Sequence, residues 1–257
     1  MLVNIFDTHA HYDDERFLPL LDELMECQRA AGVTGIITCG CDEASSSKAL
    51  ELAEKYDIIY AAVGVHPSEA GKLETGWLER IRRLAAHPKC VAIGEIGLDF
   101  YWPEPDRDTQ REVFRAQLEL ARELELPVEI HDRDAHGEVF AFVKEYRPRG
   151  VLHRYSGSPE MAREYVKLGM HLGFGGALTY RNSKKETATV AECPLEHILL
   201  ETDCPYLSPA QRRGTTCTSD MIALVAERVA EIKGGSLTAQ EVLDKTAQNA
   251  RELFGIA

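Results

Sequence analysis

The sequence has no run approaching the ~20 consecutive apolar residues that a membrane-spanning helix needs, so a helical membrane protein is not expected. Its opening apolar segment, Leu2 to Phe6 around Asn4, is closed by Asp7. It is too short for an export signal, and a cytoplasmic location is the expectation. Basic excess is also missing: Lys+Arg 29 stand against Asp+Glu 42, a net charge of −13. An acidic surface disfavours polyanions at long range, so any nucleic-acid contact must be local or carried by metal ions. There is no even cysteine framework. Seven cysteines (27, 39, 41, 90, 193, 204 and 217), with no paired spacing, fit reduced thiols, and the lone C-x-C of Cys39 and Cys41 is read as structural. No Pro/Gly/Ser-rich linker, low-complexity segment or fixed repeat divides the chain, so residues 1–257 are read as one domain. What is left, 44% hydrophobic and 28% charged, is a globular composition.

A recurring unit organises the chain: a short β-branched run, a loop, then a stretch with helical periodicity. Strands are predicted at residues 3–6, 35–38, 58–63, 91–94, 127–130, 150–152, 170–173 and 198–200. Helices are predicted between them at 16–30, 43–55, 77–86, 108–123, 135–146, 159–168 and 183–191. In the helix after the fourth strand, Phe114, Leu118 and Ala121 repeat at helical spacing with Arg111, Glu112 and Arg115 turned outward. A final helix opens with the capping box Thr238-x-x-Glu241 and runs to about Phe254. Alternation of this kind implies a parallel sheet, and at this length an α/β fold closed as a single (β/α)8 TIM barrel is expected. A doubly wound open sheet is the alternative.

Metal-type residues recur where the strands end. His9 and His11 in "FDTHAHYDD" follow the first strand, His66 in "VGVHP" the third and Glu95 in "AIGEIGLDFYW" the fourth. His131 in "VEIHDRDA" follows the fifth, His153 in "VLHRYSGS" the sixth and Asp203 in "LLETDCPYLSP" the eighth. One histidine at a strand end is ordinarily structural. Six imidazole or carboxylate groups besides His66 on the C-terminal rim of a barrel need a compensating charge, and a divalent cation such as zinc or manganese supplies it. Six groups exceed one tetrahedral site with an open position. Bridging by Glu95 divides them into His9, His11 and Asp203 on one ion and His131 and His153 on a second; one ion, with some histidines on substrate, is the other arrangement. His87, His136, His171 and His197 lie elsewhere and are read as structural.

In order and spacing, these blocks resemble the TatD family of metal-dependent deoxyribonucleases, through to the closing "TAQNARELFGI". The resemblance implies a (β/α)8 barrel with a mononuclear or binuclear site for divalent metal (Zn, Mg or Mn). It also implies phosphodiester hydrolysis by a metal-activated water, of the 3′→5′ exonuclease or deoxyribonuclease kind. It places His9, His11, Glu95, His131, His153 and Asp203 as ligands, His66 as the phosphate contact and Asp203 as proton acceptor. Glu201 is a candidate acceptor for a ligand's free N–H. Two departures bear on substrate. The segment "RRGTTCTSD", residues 212–220, lacks the family's Asn and Pro, and Arg154 and Tyr155 stand where a cysteine and a phenylalanine are usual. Arg154 either contacts a phosphate or faces solvent.

The leading expectation is therefore a hydrolase of nucleic-acid ends, single-stranded DNA first, or of a small phosphoester, acting as a monomer or weak oligomer with no membrane partner. An amidohydrolase-like enzyme for a small amide, lactone or phosphoester is the first rival, because the same barrel and histidines support that chemistry. A non-catalytic, metal-stabilised scaffold is the second. The basic pairs Lys184-Lys185 and Arg212-Arg213 read as solvated faces.

Overall fold

β-branched runs bounded by turn residues form eight strands, and the stretches between them, apolar at every third or fourth position, form helices. In the computed structural model, which describes residues 2–256, the strands are β1 (Ile5–Ala10), β2 (Val33–Cys39), β3 (Ile59–Val63), β4 (Cys90–Asp99), β5 (Val128–Arg133), β6 (Gly150–Leu152), β7 (His171–Phe174) and β8 (Ile198–Leu200). The helices are α1 (Leu21–Ala30), α2 (Glu43–Lys55), α3 (Trp77–Ala85), α4 (Arg107–Leu124), α5 (His136–Tyr146), α6 (Pro159–Lys167), α7 (Lys184–Glu192), α8 (Ile222–Lys233) and α9 (Ala239–Phe254). Among the described residues, no helix is long and apolar enough to cross a membrane.

All strand neighbours are parallel and follow sequence order from β1 to β8. This is the expected TIM barrel. Its last seam is made just past the end of β8: Asp203 N–H donates to His9 O (2.9 Å), His11 N–H donates to Cys204 O (2.8 Å), and Ala10 bridges Cys204. The buried Asp7 carboxylate accepts from the backbone N–H of Thr202 (2.9 Å) and from the hydroxyls of Thr202 and Ser219 (2.6 Å each).

The lower interior is apolar. Phe6, Ile37, Ala62, Val151 and Leu199 pack there against Ala250, Leu253 and Phe254 of α9. α9 begins with the expected Thr238–Glu241 capping box, and Asn249 ties it to β8 by donating to Ile198 O at 3.0 Å. A second, larger core lies between the sheet and the outer helices.

The strands differ from the sequence expectation in one informative way. β1, β4 and β5 run on past their apolar segments, so His9, Glu95 and His131 lie inside strands rather than after them. Ladder bonding does not require an apolar side chain, and these polar groups find partners across the barrel mouth. The pairing register shifts between Asp7 and Ala10 in β1 and between Ile93 and Ile96 in β4, which are the stretches carrying His9 and Glu95. Such bulges re-aim a side chain beside a functional site. α1 starts only at Leu21, because Pro19 places residues Leu18–Leu20 in a 3-10 turn. α8 was not among the helices expected.

Two buried glutamines on α4 fix loops at the mouth. Gln117 accepts from Val65 N–H (2.7 Å) and donates to Val65 O (3.0 Å), next to His66. Gln110 makes the same double contact with Asp99 (2.9 Å each) and also donates to Pro105 O (2.8 Å), closing the loop after β4 at both ends. Gln117→Ala strands both Val65 backbone groups and deletes buried atoms. A loss of about 2–4 kcal/mol in unfolding free energy is expected from denaturant titration. A change under about 0.5 kcal/mol, the scale of an ordinary surface substitution, would mean that the clasp is not structural.

Candidate metal centre

The carboxylate of Glu95, 4% exposed, lies at the centre of the mouth. Its Oε2 faces His9 Nε2 (3.4 Å) and His11 Nε2 (3.9 Å). Its Oε1 faces His131 Nδ1 (2.7 Å), His66 Nε2 (3.7 Å) and His153 Nε2 (4.0 Å). Asp203 adds Oδ1 at 3.4 Å from His11 Nε2 and 3.9 Å from His153 Nε2. His153 stacks on His9 with ring centroids 3.4 Å apart. All six residues expected as ligands thus meet around one carboxylate, with Oε2 turned to His9 and His11 and Oε1 to His131, His66 and His153. Asp203 takes a left-handed backbone (φ 61), a conformation that aspartate tolerates better than most residues.

Hydrogen bonds deeper in the barrel set the ring tautomers. His9 Nδ1 is 2.7 Å from Glu129 Oε2, so it carries the proton and leaves a lone pair on Nε2. His11 Nδ1 donates to Cys39 O at 3.0 Å, with the same consequence. The two Nε2 atoms then face each other at 3.3 Å as two acceptors. His131 lies between two carboxylates, with Nδ1 2.7 Å from Glu95 Oε1 and Nε2 3.3 Å from Asp99 Oδ2, so without a cation both ring nitrogens carry a proton and donate. Acceptors held this close repel unless a cation or a proton lies against them, and an imidazole–carboxylate donor set is the kind that divalent metals take. The residues present therefore fit a divalent cation.

The protein's own charges give the same picture. Burial pulls the His131 pKa down, but Asp99 and Glu95 outweigh it and hold it at about 9. Burial raises Asp203, yet the His11 ring 3.4 Å away and the charges of His153 and Arg154 keep it well below the usual carboxylate range. The surplus of negative charge is what a cation would neutralise.

His66 is different. Its Nδ1 accepts from Ser68 N–H at 3.2 Å, so the proton lies on Nε2, the atom aimed into the site. Burial lowers its pKa to about 4, so the ring is neutral, and in this tautomer its Nε2–H is a donor suited to an anionic oxygen; its ligand atom also lies within 4.8 Å of those of Glu95 and His131. Arg154, with 44% of its side chain exposed, donates to Asp203 Oδ2 at 2.9 Å. It thus faces both solvent and the site.

Glu201, the candidate second partner, lies with Oε2 3.2 Å from His153 Nδ1, while its Oε1 accepts from Arg154 N–H at 2.6 Å. Burial pushes its pKa up to about 8. The residue facing it must be glycine: a Cβ on Gly173 would fall 2.2 Å from Glu201 Oε2. Glu129 and Asp99 were missed in the sequence. Both carried a readable signal, since Glu129 lies two residues before His131 and Asp99 lies four after Glu95, spacings that share a strand face. The two thiols read as structural also border the site. Cys39 Sγ is 3.0 Å from Glu129 Oε2, and Cys41 lies with His11 and Glu95 in a group whose ligand atoms are all within 4.8 Å of one another.

Comparison with known proteins agrees with this geometry. Residues 6–255 match the family described as TatD related DNase. The chain is 42% identical over 255 residues to the uncharacterized metal-dependent hydrolase YabD of Bacillus subtilis, covering 98% of this chain and 99% of that one. It is 33% identical to the 3′-5′ ssDNA/RNA exonuclease TatD of Erwinia tasmaniensis, covering 98% and 100%. The crystal structure of YjjV, a TatD homologue from Escherichia coli, superposes with a TM-score of 0.93 at 31% identity, covering 100% of both chains.

Glu129→Gln keeps the shape of the side chain but weakens the acceptor on His9 Nδ1. Divalent-metal retention, measured by competition with a chelator, is expected to fall about 10–100-fold in a folded protein. Unchanged retention would remove Glu129 from any role in orienting His9.

Proposed function

Because the chain belongs to the TatD-related DNase family of metal-dependent hydrolases, we propose that it hydrolyses phosphodiesters and removes nucleotides from the 3′ ends of single-stranded DNA. The observation that carries the proposal is the pairing, in one pocket, of a Glu95-centred donor set with an Nε2–H of His66 that can only donate. His9, His11, Asp203 and Glu95 would hold one divalent ion, and His131, His153 and Glu95 would hold a second. When bound, such ions lower the pKa of a water and neutralise phosphate oxygens.

The protein's part follows from its atoms. His66 Nε2–H donates to a non-bridging oxygen of the phosphate. Asp203, kept ionised by His11 and Arg154, accepts a proton from the attacking water. Arg154 orients Asp203 through one nitrogen and offers its remaining N–H groups to the phosphate. The water oxygen bonds to phosphorus and the P–O3′ bond breaks. The departing 3′ oxygen takes up a proton, releasing a 5′-mononucleotide and a strand one residue shorter. The net charge of −13 favours a second reading, a small uncharged substrate such as a lactone or amide.

Metal-loaded protein is expected to shorten a 5′-labelled single-stranded oligonucleotide stepwise from its 3′ end, and Asp203→Asn to slow this by about 10²–10⁴-fold. Equal activity in the two preparations would identify a contaminant and overturn the proposal; turnover of lactones or dipeptides with inert DNA would establish the second reading. Dialysed, saturated protein is expected to hold two metal equivalents per chain by elemental analysis, and less than one would rule out the two-ion assignment.

A further inference from the structure

Tyr101 (53%), Trp102 (55%) and Tyr206 (49%) are the aromatic members of the exposed large hydrophobic residues, and all three lie on loops at the barrel mouth. Resting on the nuclease reading above, we propose that Trp102, buttressed by Tyr101, and Tyr206 are stacking platforms for the bases on either side of the scissile phosphate.

Each platform is tied to a residue of the candidate metal centre or to its direct partner. Tyr101 N–H donates to Asp99 Oδ1 at 3.0 Å, and the other oxygen of that carboxylate contacts His131. Tyr206 N–H donates to Asp203 O at 3.0 Å. One platform therefore follows β4 and the other follows β8. These strands are four apart in an eight-stranded barrel, on opposite sides of its mouth. A strand laid across the centre meets one platform on each side of the reacting phosphate.

The rings are also held in place. The Arg133 guanidinium stacks on Tyr101 at 3.9 Å from the ring centroid, and Trp102 meets Tyr101 edge to face at 4.8 Å. Arg16 covers Tyr206 at 4.5 Å and is itself gripped by Asp14 through two contacts of 2.8 Å. Each tyrosine thus has one face covered by a guanidinium and about half of the residue open. Gln110 fixes both ends of the loop that carries Trp102. Exposed aromatic rings beside guanidinium groups are the arrangement on which unpaired bases stack, because every base presents a π face. A duplex keeps its bases stacked inside and cannot use these platforms. The inference therefore narrows the substrate to an unpaired end, with little preference for base identity.

Two readouts test it. In an Asp203→Asn, Trp77→Phe background Trp102 is the sole tryptophan, since the chain has two. Trithymidylate is expected to quench its fluorescence saturably, and an abasic deoxyribose-phosphate trimer to quench it far less. In otherwise wild-type enzyme, Trp102→Ala and Tyr206→Ala are each expected to raise KM for an oligonucleotide by about 5- to 100-fold. The rise should be smaller on a strand with abasic 3′ sugars, and Trp102→Phe should recover part of the loss. If wild type shortens the oligonucleotide but neither variant moves KM and no quenching occurs, the platforms fall while the nuclease reading stands. If wild type shortens no strand, the nuclease reading falls: base-dependent quenching would still support the platforms, and its absence would overturn them too. A shift in sedimentation of Trp102→Ala with KM unmoved on both strands would make the platform a self-association surface and overturn the inference.

Discussion

The arrangement at the barrel mouth depends on the seam between β8 and β1. Neither strand reaches the other within its own ladder; the join is made by Asp203, Cys204, His9 and His11, and is locked by the buried carboxylate of Asp7 on Thr202 and Ser219. The hydrogen bond from Asp203 N–H to His9 O closes the barrel. The same bond sets Asp203 Oδ1 3.4 Å from His11 Nε2. Closure and assembly of the site are one event, so a defect in the seam disturbs both. Asp7 also accepts from the backbone N–H of His9 at 3.3 Å, so the seam is tied directly to a residue of the centre. Burial raises the Asp7 pKa to about 7, and four hydrogen bonds to its oxygens oppose that rise.

Beneath the groups that face the mouth lies a tier of acids, each one step deeper on a ligand-bearing strand. Glu129 precedes His131 by two residues and hydrogen-bonds His9, and Glu201 precedes Asp203 by two and lies 3.2 Å from His153 Nδ1. Burying so many charges without compensation would be strongly unfavourable. One oxygen of each of these acids and Nδ1 of His153 have no hydrogen-bond partner. In this polar layer His9 is fixed from below by Glu129, while His153 and Glu201 face each other without a hydrogen bond. Below it the barrel turns apolar and is sealed by α9, so the change from hydrophobic to ionic interior occurs within about two residues along a strand.

This organisation determines what could be read from the chain. Eight apolar runs alternating with helical periods were enough for the barrel, and the histidines and acids after those runs were enough to name the groups that meet at Glu95. The strand ends were misjudged at β1, β4 and β5 for a physical reason: hydropathy marks where a strand is buried by apolar neighbours, whereas these strands continue where polar partners across the barrel take over. Glu129 and Asp99 could have been found from strand parity. The bulges that aim His9 and Glu95 could not, because a register shift is a property of paired strands and leaves no mark on one of them. The role of Asp7 was hidden for a similar reason, since Thr202 and Ser219 are about 200 positions away. The clasping glutamines of α4 were also unreadable, since Gln110 and Gln117 are ordinary helix residues until the loops beside them are placed.

The net charge of −13 bears on how an anionic strand could be held. At physiological ionic strength the repulsion between exposed charges is largely screened beyond about 8 Å, so it slows encounter more than it opposes contact. On the proposed reading, attraction would come from groups that act at contact: the His66 donor, the half-exposed Arg154, and the rings of Trp102 and Tyr206. Burial then sets which part of a strand can use them. Glu95, His9 and Asp203 are 4%, 1% and 7% exposed, so on the proposed reading a phosphate has to enter the mouth to reach them. On that reading the acidic surface and the recessed centre would act in the same direction: one would withhold long-range capture of nucleic acid, and the other would favour contact with its ends.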